Sequence, residues 1–156
     1  MQEIEFINKR FDPDITPFHE LAKNMAKAVG YTADLKVEKK LAQLLRLRVA
    51  QKNECAYCVI LHAKTARKIG IDDAKVDNIS SWYNSELYND KERVSLEYCD
   101  VLTDGKSKDF QSYHDKLTKY FDEQEIAEIA AIIINMNLWT RLKLAQGAIP
   151  KHKEKL

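Results

Sequence analysis

Cys55, Cys58 and His62 are the residues of this chain best suited to chemistry, and their spacing says which kind. They lie in Asn53-Glu54-Cys55-Ala56-Tyr57-Cys58-Val59-Ile60-Leu61-His62, a Cys-x-x-Cys pair followed four residues later by a histidine. On a helix turning about 100° per residue, the three side chains fall within an arc of about 60° on one face. The i, i+3 separation sets the two Cα atoms about 5–6 Å apart, which a disulfide accepts. If Asn53 or Glu54 ends the preceding loop, Cys55 falls in the first helical turn. Free N–H groups and the positive dipole end favour a thiolate there. His62, one turn beyond Cys58, is positioned to accept its proton directly or through a water. These residues read as a redox pair: Cys58 as the thiolate nucleophile, oxidised by a peroxide to the sulfenic acid, and Cys55 as the resolving cysteine that closes the disulfide and expels water.

Two blander readings compete. The cysteines could be buried and inert beside a packing histidine. Alternatively, Cys55, Cys58 and His62 could supply three zinc ligands. No second Cys-x-x-Cys or His-x-x-x-His offers a fourth, and His19, His114 and His152 are scattered. No metal or cofactor is therefore expected. Cys99, alone on a helical stretch, reads as a small core residue. No Gly-rich phosphate loop, Ser-His-Asp order or paired-His metal motif is visible.

The elements that must carry this pair are helices. Only seven of the 156 residues are Gly or Pro, four and three respectively, against about 19 at average usage. That scarcity excludes a turn-rich β-sandwich or barrel. Helices are predicted from about Pro17 to Gly30, Leu35 to Gln51, Asn53 to Ile69, Asp72 or Asp73 to Ile79, Asn89 to Gly105, Asp109 to Tyr120 and Glu123 to Gln146. Asn89 with Glu92, and Asp122 with Glu125, have the spacing of capping boxes. Gly70 followed by Ile71 suits a Schellman ending. The chain reads as one all-α domain over 1–156, a bundle of about six to seven helices with 151–156 as a frayed tail.

With 45% apolar and 31% charged residues and a net charge of +1, the composition points to neither nucleic acid nor membrane as a partner. Met1-Gln2-Glu3-Ile4-Glu5 lacks the cationic and apolar regions of a signal peptide. No apolar run reaches the ~18 residues of a membrane span, so a cytoplasmic location is expected. The final helix is apolar nearly all round from Ile126 to Ile134, which calls for a second subunit to cover it. Arg46 and Arg48 read as a solvated face. Asn137 and Arg141 read as structural support for the Cys-x-x-Cys helix. Trp82, Trp139, Tyr57 and Tyr83 read as packing or pocket lining, with Tyr57 at the border of the site.

Gln43 to Cys58, together with His62 and Gly70, resembles the core of the carboxymuconolactone decarboxylase and alkylhydroperoxidase-D-like family. Trp82 with Lys91-Glu92-Arg93 and Leu102-Thr103, and Asn137 to Leu142, resemble its compact single-domain members, so the likeness spans about 35–150. The resemblance implies the alkylhydroperoxidase-D-like all-α fold, a homo-oligomer (trimer or hexamer) and thiol-dependent reduction of organic hydroperoxides. A peroxide is the implied substrate and a thiol or protein the reductant. It makes Cys58 the peroxidatic cysteine, Cys55 its partner and His62 part of a proton relay. The decarboxylase branch usually lacks the cysteine pair. The alternatives are a cofactor-free decarboxylase-like enzyme, or a zinc-binding or structural oligomeric module. One departure stands out: Gln43 occupies the position of the family's usual glutamate. Glutamine can orient His62 or hold a water, but it cannot take a proton at neutral pH. Either His62 alone is then the base, or another carboxylate such as Glu54 substitutes, or activity is low, unless Gln43 merely caps or packs.

Overall fold

The computed structural model describes residues 2–155. Among these residues seven α-helices follow one another: α1 (Phe18–Val29), α2 (Lys39–Lys52), α3 (Ala56–Lys68), α4 (Asp73–Asn78), α5 (Asp90–Asp104), α6 (Phe110–Thr118) and α7 (Glu123–Gln146). The helices stop and start where the local chemistry requires. Both expected capping boxes form, with the Asn89 and Asp122 side chains accepting from the N–H groups of Glu92 and Glu125 and those glutamates reaching back. Gly70 closes α3 at φ 85°. The Ile71 N–H then reaches the Ala66 carbonyl at 3.0 Å, and buried Ile71 packs into the core.

Helix α2 runs through the centre, packed against α3, α5 and α7. Leu41, Leu44, Leu45, Leu47 and Val49 are buried along it, and each such side chain stabilises the fold by roughly 1.5–3 kcal/mol. They meet Leu96 and Cys99 of α5 and Ile129, Ile132 and Ile133 of α7. The arginines of α2 do not form the solvated face expected of them. Arg46 is only 5% exposed. Arg48 donates to both carboxylate oxygens of Asp100, at 2.7 and 3.0 Å, and the Trp82 indole donates to the same carboxylate. The middle of this helix has no solvated side, so Arg46 and Arg48 lie among buried polar groups.

The chain ends also differ from expectation. Lys151 and His152 lie not in a frayed tail but in a strand, β2 (Ala148–His152), antiparallel to β1 (Ile4–Asn8) with Phe6 opposite Pro150. The Lys153 N–H continues the pairing to the Glu3 carbonyl at 2.9 Å. Leu156 lies outside the described residues. The ribbon joins segments from the two ends of the chain, a pairing that local pattern cannot reveal. It rests on the start of α3, with the Phe6 ring edge-on to Tyr57 at 4.6 Å.

Helix α7 buries Ile126, Ile129, Ile132 and Ile133, but Ile134 is 54% exposed. Leu21 of α1 and Leu61 of α3 are exposed too. No helix among the described residues is long and apolar enough to cross a membrane.

Candidate active site

The turn before α3 sets up the thiol pair. After α2, Glu54 takes up a left-handed backbone at φ 54°, and the Cys55 N–H returns to the Ala50 carbonyl at 3.1 Å. The Asn53 amide donates to Asn137 Oδ1 and Thr140 Oγ1 of α7, both at 2.9 Å. Asn137 thus supports the Cys-x-x-Cys turn as expected, whereas Arg141 is exposed. The helix begins later than the spacing predicts. Cys55 is therefore not in the first turn but is the N-cap residue, and its sulfur accepts the Cys58 N–H at 3.3 Å.

This cap decides where charge rests on the pair. Both thiols are buried and free. The hydrogen bond from the Cys58 thiol, followed by the backbone donors at the helix start, lowers the Cys55 pKa. The same thiol–thiol bond, together with burial, pushes Cys58 up. The first proton to leave comes from Cys55, and Cys58 S–H donates to the sulfur that lost it. The N-cap position, with its unpaired N–H groups, is the physical cause.

Cys58, not Cys55, lines the neighbouring cavity of about 530 Å3, which lies among α1, α2, α3 and α7. His62, Tyr31, Arg46, Tyr57 and Trp139 line it as well. The structure does not join His62 to either cysteine by a direct hydrogen bond. Its Nδ1 instead meets the Tyr31 hydroxyl at 2.6 Å and the Gln43 amide nitrogen at 3.3 Å. The Gln43 orientation follows from its other partners: Nε2 donates to the His62 carbonyl at 2.9 Å, and Oε1 accepts from Arg46 at 3.3 Å. The Gln43 amide nitrogen facing Nδ1 is then a donor, so Nδ1 holds the lone pair, the Tyr31 hydroxyl donates to it and Nε2 carries the proton. Burial, reinforced by the Arg46 charge, pushes the imidazole pKa down to about 4. A neutral ring protonated on Nε2 offers a hydrogen-bond donor, not a base.

Gln43 thus does more than pack, since its buried amide orients His62. Glu54 is exposed, outside the cavity lining, and makes no side-chain hydrogen bond that would bring it to the thiols. Among the described residues no three His, Cys, Asp or Glu side chains are grouped to hold a metal ion. Tyr57 and Trp139 line the cavity, and Lys143 lies over both rings at 4.8 and 5.7 Å. Cys99 is fully buried in the main core, and burial drives its pKa up. Sequence reasoning missed Tyr31. It sits in the irregular stretch after α1, 31 residues from His62, and no local pattern marks it. Arg46 was visible as a cation at i+3 from Gln43, but its burial was not.

Residues 17–100 match the family model described as the carboxymuconolactone decarboxylase family. The chain is 28% identical to the uncharacterized protein YdfG of Bacillus subtilis (strain 168) over 136 residues, 83% of this chain and 92% of that protein. Its fold is that of a protein of unknown function from Agrobacterium tumefaciens with a suggested antioxidant-defence assignment, AhpD. The TM-score is 0.84 at 22% identity, covering 96% of this chain and 100% of that one. The debrominase Bmp8 shares the fold with a TM-score of 0.73 at 22% identity, over 83% of this chain and 68% of its own.

Proposed function

The chain belongs to the carboxymuconolactone decarboxylase family, and from that premise we propose that it is a thiol-dependent peroxidase cycling Cys55 and Cys58 between dithiol and disulfide. The observation that carries the proposal is one cavity lined by Cys58, His62 and Tyr31, with Cys55 capping the helix behind it. Cys58 is the sulfur a substrate in the cavity meets, so Cys58 attacks the terminal oxygen of the hydroperoxide. Its proton passes along the existing hydrogen bond to the Cys55 thiolate, and the O–O bond breaks. The leaving alkoxide is protonated by solvent through the His62 Nε2–H, with the Tyr31 hydroxyl holding the ring from the other side. Cys58 is now the sulfenic acid. Cys55 loses its proton, attacks the Cys58 sulfur and expels hydroxide, which leaves as water. Two electrons have moved from the dithiol to the peroxide, and a thiol or protein reductant returns them to the disulfide.

This role for His62 differs from the base expected from spacing, because its free nitrogen carries a proton. Self-association belongs to the same proposal: exposed Leu21, Leu61 and Ile134 leave apolar surface for a second copy to cover. The suggested antioxidant assignment of the Agrobacterium protein is in keeping with peroxide chemistry.

Mass spectrometry before and after one equivalent of hydroperoxide tests the proposal. Loss of two hydrogens linking Cys55 to Cys58 is expected. Cys55→Ser should leave a Cys58 sulfenic acid that dimedone traps, and Cys58→Ser should abolish peroxide consumption with dithiothreitol supplied. Undiminished consumption by Cys58→Ser, or turnover that survives thiol alkylation, would overturn it.

A further inference from the structure

We infer that the cavity beside Cys58 selects an anionic substrate, one carboxylate on an apolar acyl or aryl body, and that Arg46 holds the acid group. The hydroperoxide on that body rests on the peroxidase reading above; the acid group rests on the cavity alone. Four cations line the cavity, Lys23, Lys27, Arg46 and Lys143, and no Asp or Glu does. The whole chain, by contrast, is nearly balanced, with 25 basic and 24 acidic residues. Two exposed acids pair with lining residues from outside the cavity, and neither reaches Arg46. Exposed Glu20 lies 3.6 Å from Lys23, and exposed Asp14 is bound to His19 at 2.6 Å.

Arg46 has no acid partner among the described residues. It is 5% exposed. It donates to two neutral oxygens, Gln43 Oε1 at 3.3 Å and the Val29 carbonyl at 3.0 Å, and lies 4.9 Å over the Tyr31 ring. Its remaining N–H groups have no partner among the described residues. A guanidinium keeps its charge at any physiological pH, and a buried charge without a counterion is strongly disfavoured. A carboxylate in the cavity supplies the missing counterion and can bind the fork with two parallel hydrogen bonds.

Asn135 is an independent sign of a polar ligand. It too is 5% exposed and lines the cavity, and its Oδ1 has no hydrogen-bond partner. An amide oxygen only accepts, so it is matched by a donor on whatever binds there, which on the proposed body is the O–H of the hydroperoxide. Ala26, Leu61, Met136 and Trp139 supply the apolar wall. The arrangement fits a molecule with a hydrocarbon body and a charged end, and disfavours a small neutral peroxide.

Two matched pairs of probes test this. Calorimetry on the reduced protein compares 4-isopropylbenzoate with 4-isopropylbenzamide, neither of which can be turned over. Peroxide consumption compares cumene hydroperoxide with its para-carboxylate. The carboxylate should bind at least about tenfold tighter than the amide, and its advantage should shrink with added salt. Arg46→Gln should reduce that preference about tenfold, and Lys143→Met, at a less buried position, about threefold. The kcat/KM ratio of the charged to the neutral hydroperoxide should fall in parallel. Circular dichroism confirms folding, and Lys143→Met carries the test alone if Arg46→Gln does not fold. Equal binding of the two inert probes, or a preference unchanged in the folded variants, overturns the inference. Selective carboxylate binding with no consumption of either hydroperoxide supports it and overturns the peroxidase proposal instead.

Discussion

Gln43→Glu puts the argument about His62 to its most direct test. Gln43 is completely buried, with its amide nitrogen 3.3 Å from His62 Nδ1 and its oxygen 3.3 Å from Arg46. A carboxylate there replaces a donor facing Nδ1 with an acceptor. The ring must then carry its proton on Nδ1, leaving a lone pair on Nε2. The new negative charge also favours the imidazolium. At a separation of about 4 Å and an effective dielectric constant of about 20, the attraction is about 4 kcal/mol, or about 3 pKa units. Arg46 shares the carboxylate, and the lost bond to the His62 carbonyl offsets part of the gain. The His62 pKa should rise from about 4 by about two units, into the range of an ordinary histidine. Ring nitrogen and carbon shifts in histidine-labelled protein, followed from pH 3 to 9, report both tautomer and pKa; His62→Gln identifies the signal among the four histidines. The wild type should show the Nε2–H tautomer and the variant the Nδ1–H tautomer. A wild-type ring protonated on Nδ1, or a variant still titrating near 4, would show that the Gln43 amide does not govern His62.

Other outcomes follow from the same structure. The His62 pKa is depressed from 6.5 to about 4, so the unfolded chain binds the proton first as pH falls. The contribution to stability is complete above pH 6.5 and is lost between 6.5 and about 4. The loss is about 3 kcal/mol at 1.36 kcal/mol per unit, read as a drop in urea-derived stability that His62→Gln lacks. Tyr31→Phe removes the hydroxyl at 2.6 Å from Nδ1; it should lower stability by about 1 kcal/mol and reduce peroxide turnover more than binding of an inert carboxylate. Asp122→Ala removes the cap of α7 and should cost about 1 kcal/mol, a melting temperature lower by about 2–4 °C. Cys99, sealed in the core, should resist iodoacetamide until the protein is unfolded in urea, and labelling under native conditions would contradict its packing role.

What the sequence by itself determined is mostly local. Scarce Gly and Pro, apolar periodicity and capping pairs placed seven helices, because helix ends are written in the few residues around them. Cys-x-x-Cys-x-x-x-His marked the candidate site for the same reason: its spacing lies within one stretch of helix. Tertiary structure decided what that chemistry has around it. It began α3 at Ala56 and so made Cys55 a cap rather than a first-turn residue. The Asn53 side chain tied to α7 holds that turn, a contact 84 residues long-range in sequence. It paired the two ends of the chain as strands. It also turned Arg46 from an apparent surface cation into a buried one and brought Tyr31 to His62. Burial and partner choice depend on which faces of distant helices meet, and no window along the chain contains that information. The sequence names the thiols and the histidine; the packing of α1, α2 and α7 around them assigns their protons and leaves a positive cavity at their side.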